Sequence, residues 1–146
     1  MRVSKMSIWE RSRVLTLIKR ELLPYTQARF PDNPVTIRQV KRRLKLGTTY
    51  TAVSRIGTTV GFVHLLRQRG EMVLDMIAVD RAARRQGAGK LLLAHAERAA
   101  KANGHGRLKL YVDIANKEAM VFYLSQGYRY AQHHPQLYCF ELYKLL

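Results

Sequence analysis

Acidic residues are scarce in this sequence: Asp and Glu together number 10 of 146 residues, against 26 Lys and Arg, for a formal charge of +16. Cysteine is scarcer still. Cys139 stands alone, so no intramolecular disulfide can form, and no Cys/His cluster has zinc-ligand spacing. His64, His95, His105, His133 and His134 are scattered, and the last two would face opposite ways on a strand, so no metal site is assigned. Apolar runs fall far short of the roughly 20 residues that a membrane-spanning helix requires, and the first residues lack the apolar core of a secretory signal. Met1 to Arg20 is basic enough to mimic a transit peptide, but Glu10 and a regular apolar pattern argue for a structural segment. No flexible linker, internal repeat or low-complexity tail interrupts the chain. These absences point to a single domain over residues 1–146, away from membranes, in a reducing cytoplasmic setting.

What the chain does contain alternates between strand and helix periodicity. Residues 2–6 suit a short opening strand. A helix begins at Ser7, where Ser7 and Glu10 make an S-x-x-E capping box; Val14, Leu15, Ile18 and Leu22 give it an inward stripe and Pro24 ends it. The Pro31-Asp32-Asn33-Pro34 cluster marks a loop, and the loops over 24–35 and 132–137 carry no decisive chemistry. A second helix spans residues 36–46, with Ile37, Val40 and Leu44 inward and Gly47 as terminator. Three strands follow as a meander over 49–55, 59–68 and 71–79, turning at Ile56-Gly57 and Arg69-Gly70. A helix over 87–103, a strand over 107–113, a helix over 116–126 and strands over 128–133 and 137–144 complete the order β-α-α-β-β-β-α-β-α-β-β. That order builds a mixed sheet covered by helices, an α/β (α+β) fold.

The residues from Leu74 to Leu93 carry the most chemistry. An apolar run through Val79 reads as a strand, and Gly87 and Gly89 open a helical pattern rich in Ala and Leu. Glycines at such a turn let the backbone approach a ligand closely, so successive N–H groups and the helix N-terminus converge on phosphate oxygens. Arg84, Arg85 and Lys90 add positive charge beside them. The local chemistry calls for a pyrophosphate or a similar polyanion. Two familiar phosphate loops do not fit: G-x-x-x-x-G-K-S/T fails because Leu91 follows Lys90, and G-x-G-x-x-G fails because position 92 is Leu.

A third pattern, Q/R-x-x-G-x-G/A, is filled by Arg84, Gly87 and Gly89, and it resembles the acyl-coenzyme A loop of the GNAT N-acetyltransferase superfamily. Downstream, Asn116, Ala119, Phe122, Tyr123, Gly127 and Tyr128 fit that family's N-x-x-A-x-x-F-Y-x-x-x-G-F/Y segment. Asn116 also reads as a helix N-cap and Gly127 as a helix stop. The resemblance is close over about residues 70–130 and implies a central mixed, mostly antiparallel twisted sheet flanked by about four helices. It further implies transfer of an acetyl group from acetyl-coenzyme A to a primary amine by direct attack. The coenzyme would contact the backbone of Ile77, Ala78 and Val79, the loop Arg84, Arg85, Gln86, Gly87, Ala88, Gly89 and Lys90, and Asn116, with no metal.

The amine must first lose a proton. A lysine-like acceptor of pKa about 10.4 costs about 4.6 kcal/mol to deprotonate at pH 7, whereas an α-amine near 8 costs about 1.4. The resemblance places a carboxylate base on the strand 71–79, where Asp75 shares parity with Val79 and Glu71 is the reserve; the alternative for Asp75 is pairing with a neighbouring Arg. Relatives more often carry Glu there, so a shorter Asp would act through water or orient the substrate. Tyr123 falls on the family tyrosine, whose hydroxyl protonates the departing thiolate.

The surplus of positive charge exceeds what coenzyme phosphates need. Arg38, Lys41, Arg42 and Lys45 recur at helical spacing, as a stripe opposite Ile37, Val40 and Leu44. A cationic entrance repels polyamines and aminoglycosides and attracts anionic acceptors, acidic proteins or ribosomal surfaces. The bland reading of the stripe is a solvated face. The alternative function is a nucleic-acid- or ribosome-binding module that keeps the acyl-coenzyme A fold without efficient catalysis, although no recognised nucleic-acid motif is present.

Overall fold

Strand propensity and tight turns between Thr48 and Val79 build an antiparallel meander; further strands extend it at both edges and helices pack on its two faces. The computed structural model describes residues 1–146. Its strands are β1 (Arg2–Lys5), β2 (Thr48–Val53), β3 (Thr59–Gln68), β4 (Glu71–Val79), β5 (Arg107–Asp113), β6 (Arg129–His134) and β7 (Cys139–Leu145). Its helices are α1 (Arg11–Glu21), α2 (Leu23–Arg29), α3 (Ile37–Leu44), α4 (Ala88–Ala102) and α5 (Lys117–Ser125). The seven strands form one sheet in the order β1-β2-β3-β4-β5-β7-β6, antiparallel except for the β4–β5 pair. No helix is long and apolar enough to cross a membrane.

Each face of the sheet receives its own apolar layer. On one side Leu92, Leu93, Ala96 and Ala100 of α4 pack on Val63, Leu65, Leu74, Leu108, Leu110 and Leu142. On the other, Val14, Leu17 and Ile18 of α1 and Val40 and Leu44 of α3 cover Phe62 and Ala78. Fully burying each of these Leu, Ile, Val and Phe side chains contributes about 1.5–3 kcal/mol, which fixes both helical layers against the strands that carry the site.

Three departures from the sequence expectations bear on function. Pro24 does not end the helical region. It lies in the first turn of α2, where its missing N–H leaves no intrahelical bond unmade. The expected loop over 24–35 therefore begins as a helix, and the helices number five. Thr36 caps α3 through a reciprocal box that sequence reading did not name: Gln39 N donates to Thr36 Oγ1 at 3.2 Å and Thr36 N to Gln39 Oε1 at 2.8 Å. Finally, the pairing of β3 with β4 slips between His64 and Leu65, so that Leu74 and Met76 oppose adjacent residues of β3 and Asp75 is left over as a bulge.

That bulge breaks the parity argument for Asp75. A bulged residue shifts every later side chain to the opposite face. Met72 and Leu74 pack with the α4 layer before it; after it Ile77 and Val79 do, while Met76 and Ala78 join the α1 layer. Asp75 reaches α3, so it does not share a face with Val79.

Candidate active site

The site begins where two neighbouring strands part. β4 and β5 pair through only three residues, Met72 with Leu108, Val73 with Lys109 and Leu74 with Leu110. Beyond Leu74, β4 continues to Val79 paired on its β3 side alone. The gap opens into a cleft of about 1290 Å³. Along this free edge Ile77, Ala78 and Val79 line the cleft, and the alternate main-chain groups of an edge strand are available to pair with an extended ligand.

At one end of the edge the chain turns into α4. Asp80 Oδ1 accepts from Ala82 N at 3.1 Å and starts a single helical turn, after which Arg85 (φ 64°) and Gly87 (φ 85°) take left-handed conformations. The first bond of α4 runs from Leu91 N to Gly87 O at 3.1 Å, so the N–H groups of Ala88, Gly89 and Lys90 have no intrahelical acceptor. With the helix dipole, they form an anion site. The two glycines serve different ends. A Cβ at Gly87 would meet nothing within 4 Å, so its backbone is openly approachable, whereas a Cβ at Gly89 would lie 3.3 Å from Phe122 Cζ, so that position serves the packing of α4 on α5.

The cleft is lined by Arg84, Arg85, Gly87, Ala88, Gly89, Lys90 and Asn116, but not by Gln86. The cations of the loop are not equivalent. Arg84 Nη2 donates to Glu21 Oε2 at 2.6 Å and ties the loop to α1, while Arg85 and Lys90 have no carboxylate partner. Asn116 Oδ1 accepts from Ala119 N at 3.2 Å, so the side chain caps α5 while facing the cleft.

Tyr123, on α5, is 6% exposed and lines the cleft. Its ring packs against Phe122 and Tyr128, and its hydroxyl has no hydrogen-bond partner in the protein. Burial pushes the phenol well above its usual value, so it stays protonated and is available as a donor. Tyr128 is also buried, but its hydroxyl is spent on Glu97 at 2.9 Å.

On the α3 side of the cleft Asp75 is paired with an arginine, the alternative the sequence left open, in a constellation whose other members the sequence did not name. Arg43 of α3 embraces Asp75, with Nε 2.9 Å from both carboxylate oxygens and Nη2 2.6 Å from Oδ1. The pairing holds the guanidinium above its ordinary pKa. His64 Nε2 lies 3.8 Å from Asp75 Oδ2, and its Nδ1 is 2.9 Å from Thr49 Oγ1. The imidazole is fully buried, and burial outweighs the nearby carboxylate and lowers its pKa. Glu71 is elsewhere: it is bonded to Arg107 and, at 2.8 Å, to Lys109 Nζ, and it does not line the cleft. It is therefore withdrawn as a reserve base.

Most of the few carboxylates are used inside the structure. Asp80 holds Arg13 and Arg20, Asp113 holds Arg29 at 3.1 Å, and Glu97 holds Lys144 at 3.0 Å. Arg38, Lys41, Arg42 and Lys45 of the α3 region are exposed and have no such partner. The far wall of the cleft is apolar and aromatic, with Tyr25 and Phe30 from the α2 region, Tyr111 from β5 and Leu137. No group of three or more His, Cys, Asp or Glu is placed to hold a metal ion.

The sequence model of the acetyltransferase (GNAT) family matches residues 15–128. No curated protein matches the chain. Among solved structures, ribosomal-protein-alanine N-acetyltransferase from Brucella melitensis is similar over 100% of both chains, with a TM-score of 0.77 and 16% identity. The PaiA N-acetyltransferase from Thermoplasma acidophilum, in complex with coenzyme A, is similar over 99% of this chain and 98% of that one, with a TM-score of 0.75 and 17% identity. Nourseothricin acetyltransferase matches 68% of this chain and 65% of its own length, with a TM-score of 0.65 and 22% identity.

Proposed function

Because the chain belongs to the acetyltransferase (GNAT) family, we propose that it transfers the acetyl group of acetyl-coenzyme A to a primary amine by direct attack. The observation that carries this reading is the parting of β4 from β5 between an anion-binding helix terminus and the unpartnered hydroxyl of Tyr123. Bound there, the coenzyme supplies an acetyl group activated as a thioester. The N–H groups of Ala88, Gly89 and Lys90, with the side chains of Arg85 and Lys90, would hold its phosphates, and the edge of Ile77, Ala78 and Val79 would align its extended arm.

The acceptor ammonium gives up two protons, one before attack and one as the new N–C bond forms and the C–S bond breaks. Tyr123 gives its hydroxyl proton to the sulfur, a role suited to a phenol kept neutral by burial, and regains a proton from the second one shed by the nitrogen, directly or through water. Asp75 receives the ammonium proton directly or through a water, its carboxylate held by Arg43. Asn116 orients the start of α5 and thereby Tyr123.

Calorimetric titration with acetyl-coenzyme A, with ATP and NAD as controls at two salt concentrations, tests the reading. Selective binding that survives the higher salt, followed by amine-dependent thiol release, is the expected result. Equal, salt-labile binding of all three would reduce the loop to a general anion site and favour a nucleic-acid partner for the exposed stripe on α3.

A further inference from the structure

We propose that one corner of the molecule, outside the cleft, docks peripherally on an anionic lipid surface; this does not depend on the acyl-transfer reading. The three most exposed large apolar side chains are Ile56 at 90%, Trp9 at 89% and Ile8 at 77%. Ile8 and Trp9 belong to the single helical turn between β1 and α1, and Ile56 lies in the turn that joins β2 to β3. None of the three lines the cleft.

Glu10 ties the first turn to the strands that lead into the second. Its Oε2 accepts from Thr51 Oγ1 of β2 at 2.8 Å and from Thr59 Oγ1 of β3 at 3.1 Å, and its Oε1 accepts from Ser7 N at 2.9 Å. β1 pairs with β2 from Arg2 opposite Val53 to Lys5 opposite Tyr50, and Ser54 N donates to Thr58 O at 2.8 Å across the β2–β3 turn. The apolar side chains are therefore held out on bonded backbone, and exposed apolar groups so presented mark an interaction surface.

The surroundings are cationic. Arg2 and Lys5 of β1 and Arg55 beside Ile56 are exposed. The exposed carboxylates of the chain, Asp32 and Glu118, lie before α3 and on α5, away from these elements, while Asp80 is held by Arg13 and Arg20. A second copy would bring the same charge of +16 and be repelled. Stacking of nucleic-acid bases needs aromatic rings, and two of the three projecting side chains are aliphatic. A fluid interface takes projecting apolar groups without a matching shape: tryptophan rests at headgroup level, the isoleucines reach the acyl boundary, and the cations meet anionic headgroups. The sequence placed the chain away from membranes for want of a spanning segment; peripheral contact requires none.

Trp9 is the sole tryptophan, so intrinsic fluorescence reports on this corner alone. Titration with phosphatidylcholine vesicles containing phosphatidylserine should shift its emission to shorter wavelength. Binding should be at least about tenfold tighter than to phosphatidylcholine alone. By co-sedimentation, Ile8→Ser and Ile56→Ser should each weaken binding about fivefold, and Arg55→Glu about tenfold on the anionic vesicles. No shift with either vesicle, an equal response to both, or binding unchanged in Ile8→Ser and Ile56→Ser would overturn the proposal. A change in emission produced by duplex RNA or by raising the protein concentration, and not by vesicles, would also overturn it and give the corner to a nucleic acid or a second copy.

Discussion

The two ends of the cleft are built from different materials. The end proposed for the coenzyme is main chain: the free edge of β4, the first N–H groups of α4 and the open backbone at Gly87. The end opposite is side chain: Arg43 from α3, Asp75 from a bulge in β4 and His64 from β3, supported by Thr49 from β2. A main-chain site tolerates change in side-chain identity and fails when the backbone cannot take its shape. A side-chain site fails by degrees, as each partner is removed.

The largest effect should follow from attacking the backbone itself. Gly87 has φ 85°, and Gly87→Glu adds the strain of a side chain in the left-handed region, about 1–2 kcal/mol, to a negative charge on the phosphate side. Acetyl-coenzyme A affinity should fall by at least about a hundredfold, read by calorimetry. Retained affinity would mean that the coenzyme does not approach this turn.

Tyr123→Phe sharpens the contrast from the opposite direction. It keeps the ring packed against Phe122 and Tyr128 and removes a hydroxyl that nothing in the protein uses. Turnover should drop about a hundredfold or more, the usual worth of a positioned acid, with coenzyme affinity unchanged. Lost affinity at unchanged turnover would sink the acid role.

The smallest effect concerns His64. Burial lowers its pKa in the folded protein, so the unfolded chain binds the proton more readily. The stability from keeping this ring neutral is complete above the unfolded value of about 6.5 and is lost as pH falls towards the lower folded value. Thermal denaturation should therefore show the melting temperature declining below about pH 6.5, and His64→Gln should flatten that slope. An unchanged slope would mean that the buried ring does not govern acid stability.

The same division explains what could be read from sequence. A main-chain cradle depends on residues close together in the chain, so Gly87, the helix that follows and the strand that precedes appear as one local pattern. The placement of Tyr123 and Asn116 was legible for the same reason, since they lie on one helix with its own cap. The side-chain constellation joins positions 43, 64 and 75 through a bulge, and no local periodicity announces a bulge. Strict alternation put Asp75 on the face of Val79 and made Glu71 its substitute. The slip at His64 and Leu65 undoes the first, and the Arg107 and Lys109 contacts undo the second. The α2 helix was hidden by Pro24, which stops a helix when it lies in the interior and opens one when it lies in the first turn.

Although α2 lines part of the cleft, none of its residues is buried. Tyr25 and Thr26 are only half-buried, so substitutions there cost less packing than changes in the buried layers on the sheet. Mutation there can reshape the cleft while the layers under the sheet stay intact, which makes this short helix the part of the fold where descendants of one ancestral chain can diverge without risking collapse.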